Sequence, residues 1–291
     1  MRLKKHPSLL SLGAIGDAYG FCFEFAAPEF VAANNDLSYH QHPEFTNVVP
    51  GSYSDDTQMQ LALAELIVSG DAWTPSSIAK QFVRTYKRDA RPGYARRFRG
   101  LLDDVSDGDE LLARINPDSE RNGAAMRASI IGLYPDLLTV KRLAAMQAAV
   151  THNTKGGIDS AVATALICNY LLYERGPKDD LSYFLSQHLP AYDWNQRWQG
   201  VVPVHGISTV RAALVVLLSC HSLSEILRFC VAFTGDVDSV ATIACSCAAV
   251  CDSIQKDVPD VLWNRLEQTE YGRDYLEEMD RRVWQRIALS V

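Results

Sequence analysis

The sequence predicts an all-α fold, and three observations carry that expectation. Apolar residues recur at helical spacing in several segments, alternating strand patterns are scarce, and helix-start signals precede the apolar runs. The first predicted helix, 57–69, holds the run from Met59 to Ile67. The second, 75–87, opens on Thr74-Pro75, a capping hydroxyl with a proline at the first helical position, and carries Ile78, Phe82, Val83 and Tyr86 on one face. The same reasoning gives helices over 122–133, 139–150, 158–174, 206–219, 222–232 and 239–254, and a charge-rich, surface-lying one over 260–287. Polar, turn-rich loops fall at 33–53, 88–93, 103–109, 116–121, 151–157 and 191–204. No linker, internal repeat or low-complexity tract divides the chain, so residues 1–291 are expected to form one domain with functional loops at one end.

A chain of 291 residues that is 47% hydrophobic can bury a substantial core. Its formal charge of −7 argues against direct nucleic-acid binding, which needs a Lys/Arg patch to displace counterions. The one basic cluster, Lys87 to Arg99 with Arg88, Arg91, Arg96 and Arg97, suits a small anionic ligand or a charged rim as well as a polyanion. The densest apolar run, Ala212 to Leu218, is far shorter than the roughly 18–20 residues of a membrane span, so no membrane insertion is expected. The stretch after Ser8 is broken by Gly13, Gly16 and Asp17 and does not read as a signal peptide. A soluble, cytoplasmic protein is the expectation. The seven cysteines fit it: Cys168, Cys220, Cys230, Cys245, Cys247 and Cys251 stand in apolar, helix-like surroundings, as reduced thiols do. Cys245, Cys247 and Cys251 lack the spacing and second pair of a structural zinc site.

Two acidic clusters carry the chemistry. Ser54-Asp55-Asp56 stands at a predicted helix start, where one Ser or Asp caps the helix and acids suit its dipole. Two adjacent aspartates exceed what a cap requires, and their repulsion is costly unless a cation offsets it. Asp236-Val237-Asp238-Ser239 repeats that chemistry at the mouth of the apolar segment 240–251. Four carboxylates and two hydroxyls form an all-oxygen set suited to Mg²⁺ or Mn²⁺, and are enough for two ions. Glu24, among Phe21, Phe23 and Phe25, is either a partly desolvated functional carboxylate or the exposed side of its element. Asp17, between glycines, reads as structural.

GDAYGFCFE, YSDDTQM, NGAAMR, Thr151-His152 and GDVDS, in that order, resemble the ADP-ribosylglycohydrolase family over about Ser11 to Val250. The resemblance is nearest to its arginine-directed branch, that of dinitrogenase-reductase-activating glycohydrolase. It implies a single compact orthogonal helical bundle with a binuclear metal site. Ser54, Asp55, Asp56, Asp236, Asp238 and Ser239 match the ligands of two Mg²⁺ or Mn²⁺ ions, with serine where threonine is common. Asp55, Asp238 and Glu24 match the catalytic centre, Glu24 managing the attacking water. Asn122, Gly123, Ala124, Ala125, Met126 and Arg127 match the diphosphate strip, and His152 a residue near the same group. Glu120-Arg121 departs from the small residues that often precede Asn-Gly. Asp89 falls near an aspartate that would pair with a substrate guanidinium, or else salt-bridges Arg88 or Arg91; Tyr94 could stack on the substrate. The implied activity is removal of ADP-ribose from arginine side chains of an ADP-ribosylated protein, releasing ADP-ribose. The family's alternatives are O-linked ADP-ribose, on serine or as O-acetyl-ADP-ribose, and a catalytically silent ADP-ribose binder.

Overall fold

The computed structural model describes residues 8–289, and among them every regular element is helical. The α-helices run α1 Leu9–Phe21, α2 Pro28–Asn34, α3 Asp55–Ser69, α4 Pro75–Arg88, α5 Arg96–Asp104, α6 Gly108–Arg114, α7 Gly123–Met126, α8 Leu137–Ala149, α9 Lys155–Leu172, α10 Leu181–His188, α11 Gly206–Ser219, α12 Leu223–Ala232, α13 Val237–Ala249, α14 Asp260–Arg265 and α15 Arg273–Ala288. No helix in this range is long and apolar enough to cross a membrane. All seven cysteines are buried free thiols.

The expected helices are present, with three corrections. The span 122–133 is two short pieces, α7 and a 3-10 turn over Ser129–Leu133, because Arg127 and Ala128 turn the chain between them. The span 239–254 starts earlier and stops at Ala249. The span 260–287 is broken after Arg265, where Glu267 leaves the helix to bond the 51–53 loop: its N–H donates to Gly51 O at 3.0 Å and its carboxylate accepts from Tyr53 N at 3.2 Å. Helices α1, α2, α5, α6 and α10 were not expected from periodicity. For α1 the reason is clear, since every one of its residues is buried and it shows no polar face.

The core centres on α1 and α13, which pack closely along their length. The stripe Gly13, Gly16 and Gly20 makes that approach possible: a Cβ at Gly16 would lie 2.8 Å from Ala241 C, and one at Gly20 would overlap Asp238 Cα. Asp280 of α15 holds the start of α1, accepting from Leu10 N at 2.8 Å, Ser11 N at 3.1 Å and Ser11 Oγ at 2.7 Å. Asp17, fully buried in α1, does the same for α3, accepting from Ser54 N, Thr57 N (2.9 Å) and Thr57 Oγ1 (2.6 Å). The structural reading of Asp17 therefore holds, and its partner is the helix that carries Asp55 and Asp56.

Candidate active site

The two acidic clusters meet where α13 crosses the start of α3. Ser239 Oγ donates to Asp56 Oδ1 at 3.3 Å, and Thr242 Oγ1, which donates to Asp238 O at 2.8 Å, lies 3.3 Å from Asp56 Oδ2. Asp238 Oδ1 accepts from Ser239 N at 2.9 Å in the first turn of α13. Asp236 precedes that turn on a loop fixed by paired backbone bonds, Val202 N to Thr234 O (3.0 Å) and Asp236 N to Val202 O (2.9 Å). Asp55 is set by the 89–94 loop: its N–H donates to Pro92 O at 3.0 Å, and Gly93, at φ +97°, passes so close that a Cβ there would lie 3.2 Å from Asp55 Cγ. Ser54 Oγ accepts from Asp56 N at 3.2 Å, so this hydroxyl also caps α3.

Glu24, whose sequence context left two readings open, joins the cluster. One oxygen from each of Glu24, Asp236 and Asp238 lies within 4.8 Å of the others. Two contacts hold its loop: Phe25 N donates to Gly235 O at 2.8 Å, and His42 Nε2 bonds Glu24 O at 2.8 Å. Since His42 Nδ1 accepts from the Glu44 and Phe45 N–H groups at 3.0 Å, the His42 proton is on Nε2 and is donated to Glu24 O.

Burial raises every carboxyl in the group. It pushes Glu24 up to about 8, helped by the charges of Asp236 and Asp17, and Asp17 up to about 6. Asp55, Asp56 and Asp238 stand well above the usual carboxylate range from burial and then mutual repulsion. Asp236 is raised by burial, against hydrogen bonds that include one from Asn122. No Lys or Arg pairs with any of these acids among the described residues. A buried set of like charges with oxygen donors and no counter-cation fits a hard divalent ion.

The remaining expected residues divide. Asn122 belongs to the site: its amide donates to Asp236 Oδ2 at 3.0 Å and Thr209 Oγ1 at 3.2 Å. Gly123 is half-buried beside His152, a Cβ there lying 3.0 Å from His152 Cε1. Ala124, Ala125 and Met126 turn their side chains into the core, so any contact with a ligand there would come from their backbone. Arg127 turns inward likewise: its guanidinium is buried over Phe82 (4.4 Å to the ring centre) and bonds Gln147 Oε1 at 2.5 Å and Thr151 Oγ1 at 2.7 Å. Asp89 is paired with Arg91 at 2.5 Å, and Arg91 also bridges Glu267. Tyr94 is buried, its hydroxyl donating to Gln58 Oε1 at 2.8 Å, so its ring is not open for stacking. Thr242 and His42 were missed as supports, and the partner of Asp17 was not foreseen, because only the fold brings them to the acids.

An all-helical fold with an acidic cluster where α3 and α13 cross narrows the class, and the sequence match makes it specific. The chain belongs to the ADP-ribosylglycohydrolase family, whose model matches residues 8–290. ADP-ribosylhydrolase ARH3 of Homo sapiens is 29% identical over 204 residues, 64% of this chain and 54% of that protein. The ARH3 of Mus musculus is 30% identical over 187 residues, 58% and 50% of the two chains. The chain thus spans about half the length of these relatives. An uncharacterized protein of Archaeoglobus fulgidus is 24% identical over 299 residues, 94% of this chain and 93% of its own. A solved structure described as an ADP-ribosylglycohydrolase-related protein complex shares the fold, with TM-score 0.71 over 96% of each chain at 22% identity.

Proposed function

We propose that the chain, acting as one domain, hydrolyses the glycosidic bond between ADP-ribose and a modified side chain, releasing ADP-ribose. The observation that carries this reading is the convergence of five carboxylates, Asp56, Asp236 and Asp238 buried and Glu24 and Asp55 partly so, with no counter-cation among the described residues. Ser54, Asp55, Asp56, Asp236, Asp238 and Ser239 would hold two divalent ions, Mg²⁺ or Mn²⁺. Bound there, these supply Lewis-acid binding of the ribose hydroxyls and of a water. Glu24 takes a proton from the attacking water as the water oxygen bonds the anomeric carbon, the bond to the leaving atom breaks with its electron pair going to that atom, and the leaving atom takes up a proton from solvent. The surrounding carboxylates favour the oxocarbenium-like charge that develops there. Asn122, Gly123 and His152 border the side on which the diphosphate would lie.

The leaving group we favour is an oxygen, as in serine-linked ADP-ribose or O-acetyl-ADP-ribose. The sequence pointed to arginine through its family resemblance, with Asp89 as the candidate partner of the guanidinium, but Arg91 already holds Asp89 Oδ2, so only Oδ1 remains to accept from a substrate guanidinium. The arginine reading keeps one support, since the loop of Asp89 touches Asp55 through Pro92 and Gly93. Peptides ADP-ribosylated on serine or on arginine, assayed with Mg²⁺ against wild type and Asp89→Asn, separate the two. Turnover of the serine-linked peptide, changed less than about threefold by Asp89→Asn, supports the oxygen reading. Turnover of arginine-linked peptide alone, lost in Asp89→Asn, overturns it. ADP-ribose binding without turnover of any linkage overturns both in favour of a silent binder.

A further inference from the structure

Beside the carboxylates lies a chain of three polar side chains of which the proposed chemistry uses only the last, His152. Arg127 Nη2 is 2.7 Å from Thr151 Oγ1, and Thr151 Oγ1 is 2.6 Å from His152 Nδ1. All three residues are at least nine-tenths buried. A guanidinium only donates, so Thr151 Oγ1 accepts from Arg127. Among the described residues the hydroxyl hydrogen then has one acceptor, His152 Nδ1. Were Nδ1 protonated, that hydrogen would be stranded in a dry interior. The imidazole proton must therefore be on Nε2. The Nε2–Cε1 edge faces Gly123, next to Asn122 and so to Asp236.

We propose that Arg127 and Thr151 are positioning residues that fix His152 as its Nε2–H tautomer, a neutral hydrogen-bond donor aimed at the pocket edge beside Gly123. Nε2 has no protein partner among the described residues, so its donor is left for a ligand oxygen. Burial, together with Arg127 and Arg121, lowers His152 to about 3, which keeps the ring neutral at working pH. A neutral donor suits this place: it bonds a phosphoryl or hydroxyl oxygen without forming an ion pair with the neighbouring acids. Gly123 is part of the device, since a side chain there would cover the imidazole edge. Identification of the acceptor as a diphosphate oxygen of ADP-ribose rests on the function proposed above; the tautomer does not.

The test is long-range proton–nitrogen NMR of the full chain with ¹⁵N-labelled histidine, His152 assigned by its loss in His152→Gln. A pyridine-like Nδ1 and a pyrrole-like Nε2 are expected in wild type and in Thr151→Ser, which keeps the hydroxyl. Thr151→Val should give mixed or inverted tautomers and bind ADP-ribose about five- to tenfold more weakly by calorimetry. A pyrrole-like Nδ1 in wild type, or a wild-type spectrum in Thr151→Val, overturns the proposal. If the tautomer is as stated but ADP-ribose does not bind wild type, the functional reading falls and the positioning chain stands.

Discussion

Gly20→Ala is a one-carbon change outside the acidic cluster that should nonetheless damage it. A Cβ at Gly20 would overlap Asp238 Cα and lie 2.8 Å from Asp238 N and 3.0 Å from Val237 O, where ordinary contact begins at 3.4 Å. The obstacle is backbone, so it cannot rotate away, and the first turn of α13 must move by at least ~0.6 Å. Overpacking of that kind costs about 1–3 kcal/mol. For a chain of this size that lowers Tm by about 2–5 °C. The same displacement carries Asp238 off its position against Glu24 and Asp236, and an error approaching 1 Å at a reacting centre costs up to ~100-fold in rate. Calorimetric Mn²⁺ titration, thermal melting and kcat/KM on a serine-linked peptide should fall together. Gly100→Ala is the control: nothing lies within 4 Å of its Cβ, and it sits inside α5. It should raise stability by up to ~1 kcal/mol and leave metal binding alone. Gly20→Ala with wild-type melting and unchanged Mn²⁺ affinity would refute the close-packing account.

Three more outcomes are expected. Asp238→Asn removes one of the mutually repelling buried charges, so the metal-free protein should melt higher than wild type, by about 1–3 kcal/mol in denaturant titration, while losing its stabilisation by Mn²⁺. Asp280, raised from 3.8 to about 7 by burial, holds its proton in the folded state to higher pH than in the unfolded one. Its protonated form therefore favours folding below about pH 4, and this contribution, of the order of 4 kcal/mol, fades as pH rises to 7. Urea titrations between pH 4 and 8 should show that slope in wild type and a flatter one in Asp280→Asn; parallel slopes would sink the assignment. Gly93→Ala meets both a positive φ and the Asp55 carboxylate, so it should weaken Mn²⁺ binding at least tenfold, as read by calorimetry.

Amphipathic helices such as α4 were legible because one face is polar and the other apolar, and Thr74-Pro75 marks the start. Helix α1 was not, because a helix buried on all sides has no period to read, and its glycines look like breakers until α13 is laid against them. The acidic clusters were legible because each is contiguous and follows a helix start. Their convergence was an expectation of the resemblance, and what sequence could not supply was the set of contacts that hold it. Glu24 gains meaning only from loop contacts to His42 and Gly235, and Arg127, adjacent to the NGAAM strip, points away from the pocket into the space beneath Phe82. Asp89 was legible in part, since a salt bridge to Arg91, two residues on, was one of its two readings.

The claim on which the rest depends is that the carboxylates of α3 and α13 form a divalent-metal centre required for hydrolysis of an ADP-ribosyl bond. It is tested most directly by titrating Mn²⁺ into metal-stripped protein while following turnover of a serine-linked ADP-ribosyl peptide, with Asp238→Asn in parallel. Saturable Mn²⁺ binding that tracks turnover, both lost in Asp238→Asn, is the predicted result. Full turnover by the metal-stripped protein, or undiminished Mn²⁺ binding by Asp238→Asn, would contradict it.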